Sequence, residues 1–116
     1  MLSREDTVRL QHMLDAARQI LCFMEGRSRE DLDTDKMLSL SVTRLVEIIG
    51  EAAKNVSSDT QLASPEIPWK QIKGTRDRLA HAYFDVNLDI IWQIVDSSLE
   101  PMTQNIERLL SGTESQ

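Results

Sequence analysis

Helical periodicity is the feature that most constrains the fold of this chain. Apolar residues recur at spacings of three and four through most of the sequence, which places them on one face of an α-helix. No segment shows the alternation of apolar and polar residues that is typical of a β-strand. We therefore expect an all-α fold, an antiparallel up-and-down bundle of about five helices.

Capping residues indicate where the first two helices begin. Ser3 followed by Asp6 is typical of a capping box at the start of the first helix. Thr34 or Asp33 can cap the second long helix. Gly50 lies in the middle of that helix and costs about 1 kcal/mol relative to alanine. We therefore expect another backbone to pack closely against Gly50.

The second half of the chain contains three further helical segments. Residues 57–68, rich in serine and proline, are expected to form the main break. Pro68 suits the first turn of a third helix, and Asn87 can cap a fourth. Pro101 indicates a kink or a new first turn before the last helix. We expect residues 111–116 to form a frayed tail.

The length and composition fit one domain over residues 1–116. A chain of 116 residues can bury a core without metals or disulfides. The single cysteine, Cys22, cannot form an internal disulfide, so the cytoplasm is the expected compartment. No apolar run reaches the roughly 18 residues of a membrane span.

Two apolar stripes are wider than one neighbouring helix needs. Ile48 and Ile49 spread around the second long helix, and Leu109 and Leu110 spread around the last. Such width leaves apolar surface for a second molecule, so we expect a homodimer.

Positive charge is concentrated in one segment of an acidic chain. Residues 70–81 carry four basic residues and one acidic residue, a local charge of +3, whereas the whole chain has a net charge of −6. The overall charge argues against nucleic-acid binding over the whole surface. An anionic partner would approach this segment, whose candidate contacts are Lys73, Arg76 and Arg78.

Helix geometry separates the polar residues of this segment. Asp77 and His81 are four residues apart and point away from the core, so the carboxylate can contact and orient the imidazole. Arg76 lies about 140° around the helix from His81. For the two to act on one group, the helix must end or bend near His81, or a second protomer must supply one of them. Both alternatives are open.

The side chains of this segment suit metal-free cleavage of RNA. Arg76 can hold a phosphate, His81 can transfer protons, and Tyr83 offers a hydroxyl group. These groups match attack of a 2′-hydroxyl on the neighbouring phosphate. On spacing alone, an exposed basic helix end is the more common explanation.

Other candidate sites are weaker. Asp77, His81 and Asp85 have the i, i+4, i+8 spacing of metal ligands, but no second histidine or cysteine lies nearby. We therefore expect no metal and no cofactor. His12 lies beside the apolar stripe of the first helix and is expected to be a surface or hydrogen-bonded histidine.

Several stretches of the chain resemble a known family. "RDRLAHAY" (76–83) resembles the R-x-x-x-x-H-x-Y motif of HepT-like toxins, a branch of the HEPN superfamily. The resemblance extends to "RLVEIIGEAAKNVS" (44–57), to residues 67–95 and to "LEPMTQNIERLL" (99–110), and so covers nearly the whole chain.

The resemblance implies a five-helix bundle that dimerises and brings two copies of the motif to a shared cleft. It also implies a metal-independent endoribonuclease that is the toxin of a toxin–antitoxin module. By position, Arg76 would bind phosphate, His81 would transfer protons, and Asp77 would support His81. Asp77 departs from the family's preference for a neutral polar residue, so it would either orient His81 or repel RNA.

The resemblance further implies a protein partner. This is a minimal nucleotidyltransferase antitoxin (MntA-like), which transfers AMP from ATP to the motif tyrosine, here Tyr83, and so silences the toxin. A second function stays open at this point: a non-catalytic helical protein that binds and regulates the nucleotidyltransferase.

Overall fold

Seven α-helices make up the described part of the chain. The computed structural model describes residues 2–81 and 87–114, with every side chain except those of residues 79–81 and 113–114. The helices are α1 (Arg4–Phe23), α2 (Arg29–Thr34), α3 (Lys36–Lys54), α4 (Ser58–Ala63), α5 (Trp69–His81), α6 (Leu88–Gln93) and α7 (Leu99–Glu114). Since no strand occurs in these ranges, the all-α prediction is confirmed.

α3 lies at the centre of the helix packing. It contacts α1, α5, α2 and α6, and α1 also contacts α7. The apolar faces of these helices form one buried cluster, which includes Leu10, Ile20, Val46, Ile91 and Ile106. Within residues 2–81 and 87–114, no helix is long and apolar enough to cross a membrane.

The elements differ from the expected five in three places. α4 is an additional short helix inside the segment expected to be the main break, and α2 is a short helix in the polar linker between α1 and α3. A π-helical turn, Ile94–Ser98, joins α6 to α7 without an interruption. Pro101 therefore lies in the first turn of α7, and α7 continues to Glu114, into the segment expected to be frayed.

The predicted caps are confirmed at two helices. The Ser3 hydroxyl accepts a hydrogen bond from the Asp6 backbone N–H at 3.1 Å and caps α1. The Asn87 side chain accepts from the backbone N–H groups of Asp89 and Ile90 and caps α6.

The predicted cap of α3 is wrong by one or two residues. Asp35 caps this helix, rather than Thr34 or Asp33, and accepts from the Leu38 N–H at 3.1 Å. Thr34 is not available because it is the last residue of α2, where its hydroxyl donates to the Glu30 carbonyl.

The Asp6 carboxylate fixes the position of α4. It is 3% exposed and accepts from the Ser57 N–H at 2.9 Å and from the Ser57 and Thr60 hydroxyls. Burial acts to raise the pKa of Asp6, but these hydrogen bonds outweigh it and hold the pKa below its ordinary value. Asp6 thus holds the start of α4 on α1. The Ser3 cap is confirmed, but the prediction of a full capping box is wrong, because the Asp6 carboxylate bonds to Ser57 and Thr60 rather than to Ser3.

Gly50 marks the closest approach of α3 and α5. A Cβ atom at this position would lie 2.8 Å from the Arg76 Cγ, closer still to the Arg76 Cβ, and 3.2 Å from the Ile72 carbonyl oxygen. The expectation of close packing at Gly50 is therefore confirmed. The missing side chain lets Arg76 lie directly against α3.

Replacing Gly50 by alanine tests this contact. Alanine favours an isolated helix, but here the added methyl group would push α5 away from α3. We expect Gly50→Ala to lower the free energy of unfolding by about 1–3 kcal/mol, measured by urea denaturation.

Gly74→Ala is the matched control. Gly74 is an exposed helical glycine of α5, and a Cβ atom there would meet nothing within 4 Å. We expect this change to leave the unfolding free energy unchanged or to raise it by up to about 1 kcal/mol. Equal effects of the two substitutions would contradict the role of Gly50.

Candidate active site

Arg76 is held between α3 and α5 by two carboxylates. Its Nη2 lies 2.8 Å from Glu51 Oε2 on α3, and its Nη1 lies 3.2 Å from Asp77 Oδ1. The hydrogen bond with Asp77 and the charge of Glu51 raise the pKa of Arg76 above its ordinary value. The guanidinium group therefore stays charged and is fixed in orientation at the surface of α3.

Asp77 contacts Arg76, its neighbour in sequence. The predicted contact between Asp77 and the His81 imidazole falls outside the described atoms, because the His81 side chain is not among them. Tyr83 and Asp85 also lie outside the described residues. The roles assigned to His81 and Tyr83 therefore stay predictions.

The backbone of α5 shows how Arg76 and His81 are placed around the helix. α5 is continuous from Trp69 to His81. The Cα positions of Arg76 and His81 are therefore about 140° apart around one helix. Since the described part of α5 ends at His81, a helix end near His81 and a second protomer both stay open as ways in which these two residues could act together.

The other basic residues of α5 do not converge with Arg76. Lys73 is half-buried, and its ammonium group donates to Gln61 Oε1 at 3.0 Å. Arg78 is exposed and lies about 160° around the helix from Arg76. Of the three candidate RNA contacts, Arg76 is the one that forms an ion pair with α3 in the described part of the chain.

Arg76 opens onto a cleft of about 300 Å³ between α1, α3 and α5. The polar residues that line it are Arg9, His12, Arg44, Glu47, Glu51, Asn55 and Arg76. His12 is exposed, as expected of a surface histidine, but it faces the same space as Arg76. The sequence alone does not indicate a role for Arg9 or Arg44, since the periodicity of one helix does not show which other helix it meets.

The described residues contain no cluster of metal ligands. They contain no group of three or more histidine, cysteine, aspartate or glutamate side chains that could hold one. Cys22, on α1, is exposed and does not line the cleft.

Comparison with known proteins identifies the family. The sequence model described as "Ribonuclease HepT-like" matches residues 13–109. The chain belongs to the HepT-like ribonuclease family.

Relatives in this family match along most of their length. The chain is 35% identical to "Putative RNase TTE0752" of Caldanaerobacter subterraneus subsp. tengcongensis. The aligned region is 101 residues long and covers 87% of this chain and 90% of that protein. It is 34% identical over 105 residues to "Probable ribonuclease HepT" of Thermococcus cleftensis, with 90% of each chain covered. No solved structure matches the chain.

The HepT-like match includes the whole motif and most of the cleft. Residues 76–83 lie within the matched range, as do Arg44, Glu47 and Glu51 of α3. Arg9 and His12 lie just before it. The α1 residues that line the cleft therefore lie outside the range that the family model matches.

Proposed function

We propose that this protein is a metal-independent endoribonuclease and the toxin of a toxin–antitoxin module. The observation that carries the proposal is Arg76, the first residue of an intact R-x-x-x-x-H-x-Y motif, fixed at the edge of a cleft in a chain of the HepT-like ribonuclease family. The single cysteine favours the cytoplasm as its compartment.

The proposed reaction needs only protein side chains. The 2′-oxygen of a ribose attacks the neighbouring phosphorus, and the bond from phosphorus to the 5′-oxygen of the next nucleotide breaks. His81 takes the proton of the 2′-hydroxyl and then delivers it to the departing 5′-oxygen. Arg76 binds the phosphate and stabilises the negative charge that develops on it.

The reaction is proposed to take place between two protomers. The Cα positions of Arg76 and His81 are about 140° apart on α5, and a second protomer that supplied one of the two groups would bring both onto one phosphate. Apolar side chains that a partner would cover are available on α3, where Met37 is 80% exposed and Leu40 is 60% exposed. On an ideal helix both lie within about 40° of Arg44 and Glu51. A second copy that covered them would reach the cleft.

Replacing His81 tests the catalytic proposal. We expect purified wild-type protein to cleave single-stranded RNA in the presence of EDTA. His81→Ala should slow cleavage by at least about 100-fold, because it removes the proton-transfer group. Thermal unfolding and molar mass of the variant should match those of the wild type. Equal cleavage by both proteins would refute the assignment of His81.

Tyr83 is the proposed site of control by a second protein. A minimal nucleotidyltransferase would transfer AMP to it: the tyrosine oxygen attacks the α-phosphorus of ATP, and pyrophosphate leaves. The added phosphate places negative charge within the motif and would repel RNA. Tyr83 is two residues from His81, so the modification would act directly on the proposed site.

Co-expression with an MntA-like nucleotidyltransferase tests this role. We expect intact-mass spectrometry to show the wild-type protein heavier by one or more AMP units and unable to cleave RNA. Tyr83→Phe should keep its unmodified mass, because it lacks the accepting hydroxyl group. AMP-sized additions that persist in Tyr83→Phe would show that another residue is the acceptor.

One observation favours the alternative, a non-catalytic partner of the nucleotidyltransferase. Arg76 already contacts Glu51 and Asp77, and both carboxylates compete with an RNA phosphate for its donors. Under this alternative, unmodified wild-type protein binds the nucleotidyltransferase and cleaves no RNA.

A further inference from the structure

We infer that the cleft between α1, α3 and α5 is an RNA phosphate-binding subsite, in which Arg9 of α1 and Arg44 of α3 hold a backbone phosphate next to the one held by Arg76. The inference rests on the proposed ribonuclease function. It assigns a binding role to two residues outside the motif and outside the basic segment of α5.

The cleft gathers positive charge from three separate helices. Arg9, Arg44 and Arg76 are 32 to 67 positions apart in sequence, yet they line one space of about 300 Å³. That volume is at the lower end of the range of small-ligand sites, and it suits a single phosphate with part of its sugar. His12 lines the same space and adds a further donor.

The charge of the cleft differs in sign from that of the chain. Three arginines face two glutamates, Glu47 and Glu51, in a protein whose net charge is −6. An acidic protein that binds RNA must do so where its local charge is positive. Arg78 cannot supply that charge at Arg76, since it lies on another side of α5.

Arg9 gives the strongest reason to expect a bound anion in the cleft. Its side chain is half-buried in the cleft wall, and within the described part of the chain it has no hydrogen-bond or ion-pair partner. Its guanidinium group can therefore donate two parallel hydrogen bonds to a bound phosphate.

Arg44 forms an ion pair through only one of its guanidinium nitrogens. Its Nη1 lies 3.2 Å from Glu47 Oε2, one helical turn away, and Arg44 remains exposed. This contact leaves Nη2 and Nε free to donate to a ligand. The glutamate would orient Arg44 toward the cleft in the way that Glu51 orients Arg76.

The test is the binding of an RNA that cannot be cleaved. A fluorescent 2′-O-methyl RNA of twelve nucleotides keeps every phosphate but lacks the attacking hydroxyl, so affinity is measured apart from catalysis. We expect Arg9→Gln and Arg44→Gln each to weaken binding roughly fourfold near 0.15 M salt and to reduce the slope of log affinity against log salt by about 0.7, the loss of one phosphate contact.

Arg18→Gln is the matched control. Arg18 is also on α1, lies about 180° around the helix from Arg9, and pairs with Glu107 of α7 at 3.1 Å. We expect its affinity and salt slope to equal those of the wild type. All three variants should unfold at temperatures close to that of the wild type, because Arg18 and Arg44 are exposed and Arg9 has no hydrogen-bond or ion-pair partner among the described residues.

The outcomes separate the subsite from the ribonuclease function. If wild-type protein cleaves RNA while Arg9→Gln and Arg44→Gln bind the methylated RNA as tightly as Arg18→Gln, the subsite is refuted and the ribonuclease function stands. If wild-type protein neither binds nor cleaves RNA, both proposals are overturned.

Discussion

The contact between Gly50 and Arg76 is the constraint on which the rest of the site depends. Without a side chain at Gly50, α5 lies directly on α3, and the Arg76 stem crosses the α3 backbone. That crossing brings the guanidinium group to Glu51, one residue after the glycine, and opens it toward α1. A single small residue thus determines the helix packing, the orientation of Arg76 and one wall of the cleft.

The electrostatics of the site follow from this packing. Glu51 and Asp77 keep Arg76 charged and in place without removing it from solvent. They also reduce its attraction for RNA, so that Arg76 by itself is a weak anchor for a polyanion. An additional phosphate contact from α1 would compensate for this loss. The proposed roles of Arg9 and Arg76 are therefore linked by charge as well as by position.

The sequence predicted those features that depend on neighbouring residues. Helical periodicity, the caps at Ser3 and Asn87 and the close packing at Gly50 all follow from local chemistry, and the structure confirms them. Features that depend on distant residues were missed. α4 is held against α1 by Asp6, about fifty positions earlier, which accepts hydrogen bonds from Ser57 and Thr60. The cleft was not predicted because it also depends on distant residues: Arg9, Arg44 and Arg76 meet only after three helices have packed.

The central claim is that Arg76 and His81 act on one phosphate from two different chains, and mixing two inactive variants tests it most directly. Arg76→Ala and His81→Ala would each be purified, then dissociated and re-associated together, and RNA cleavage would be measured. Half of the re-associated dimers are mixed, and each of these has one intact pair, so activity should return to about a quarter of the wild-type value. A mixture that stays as inactive as its components, although mass measurement shows mixed dimers, would contradict the claim.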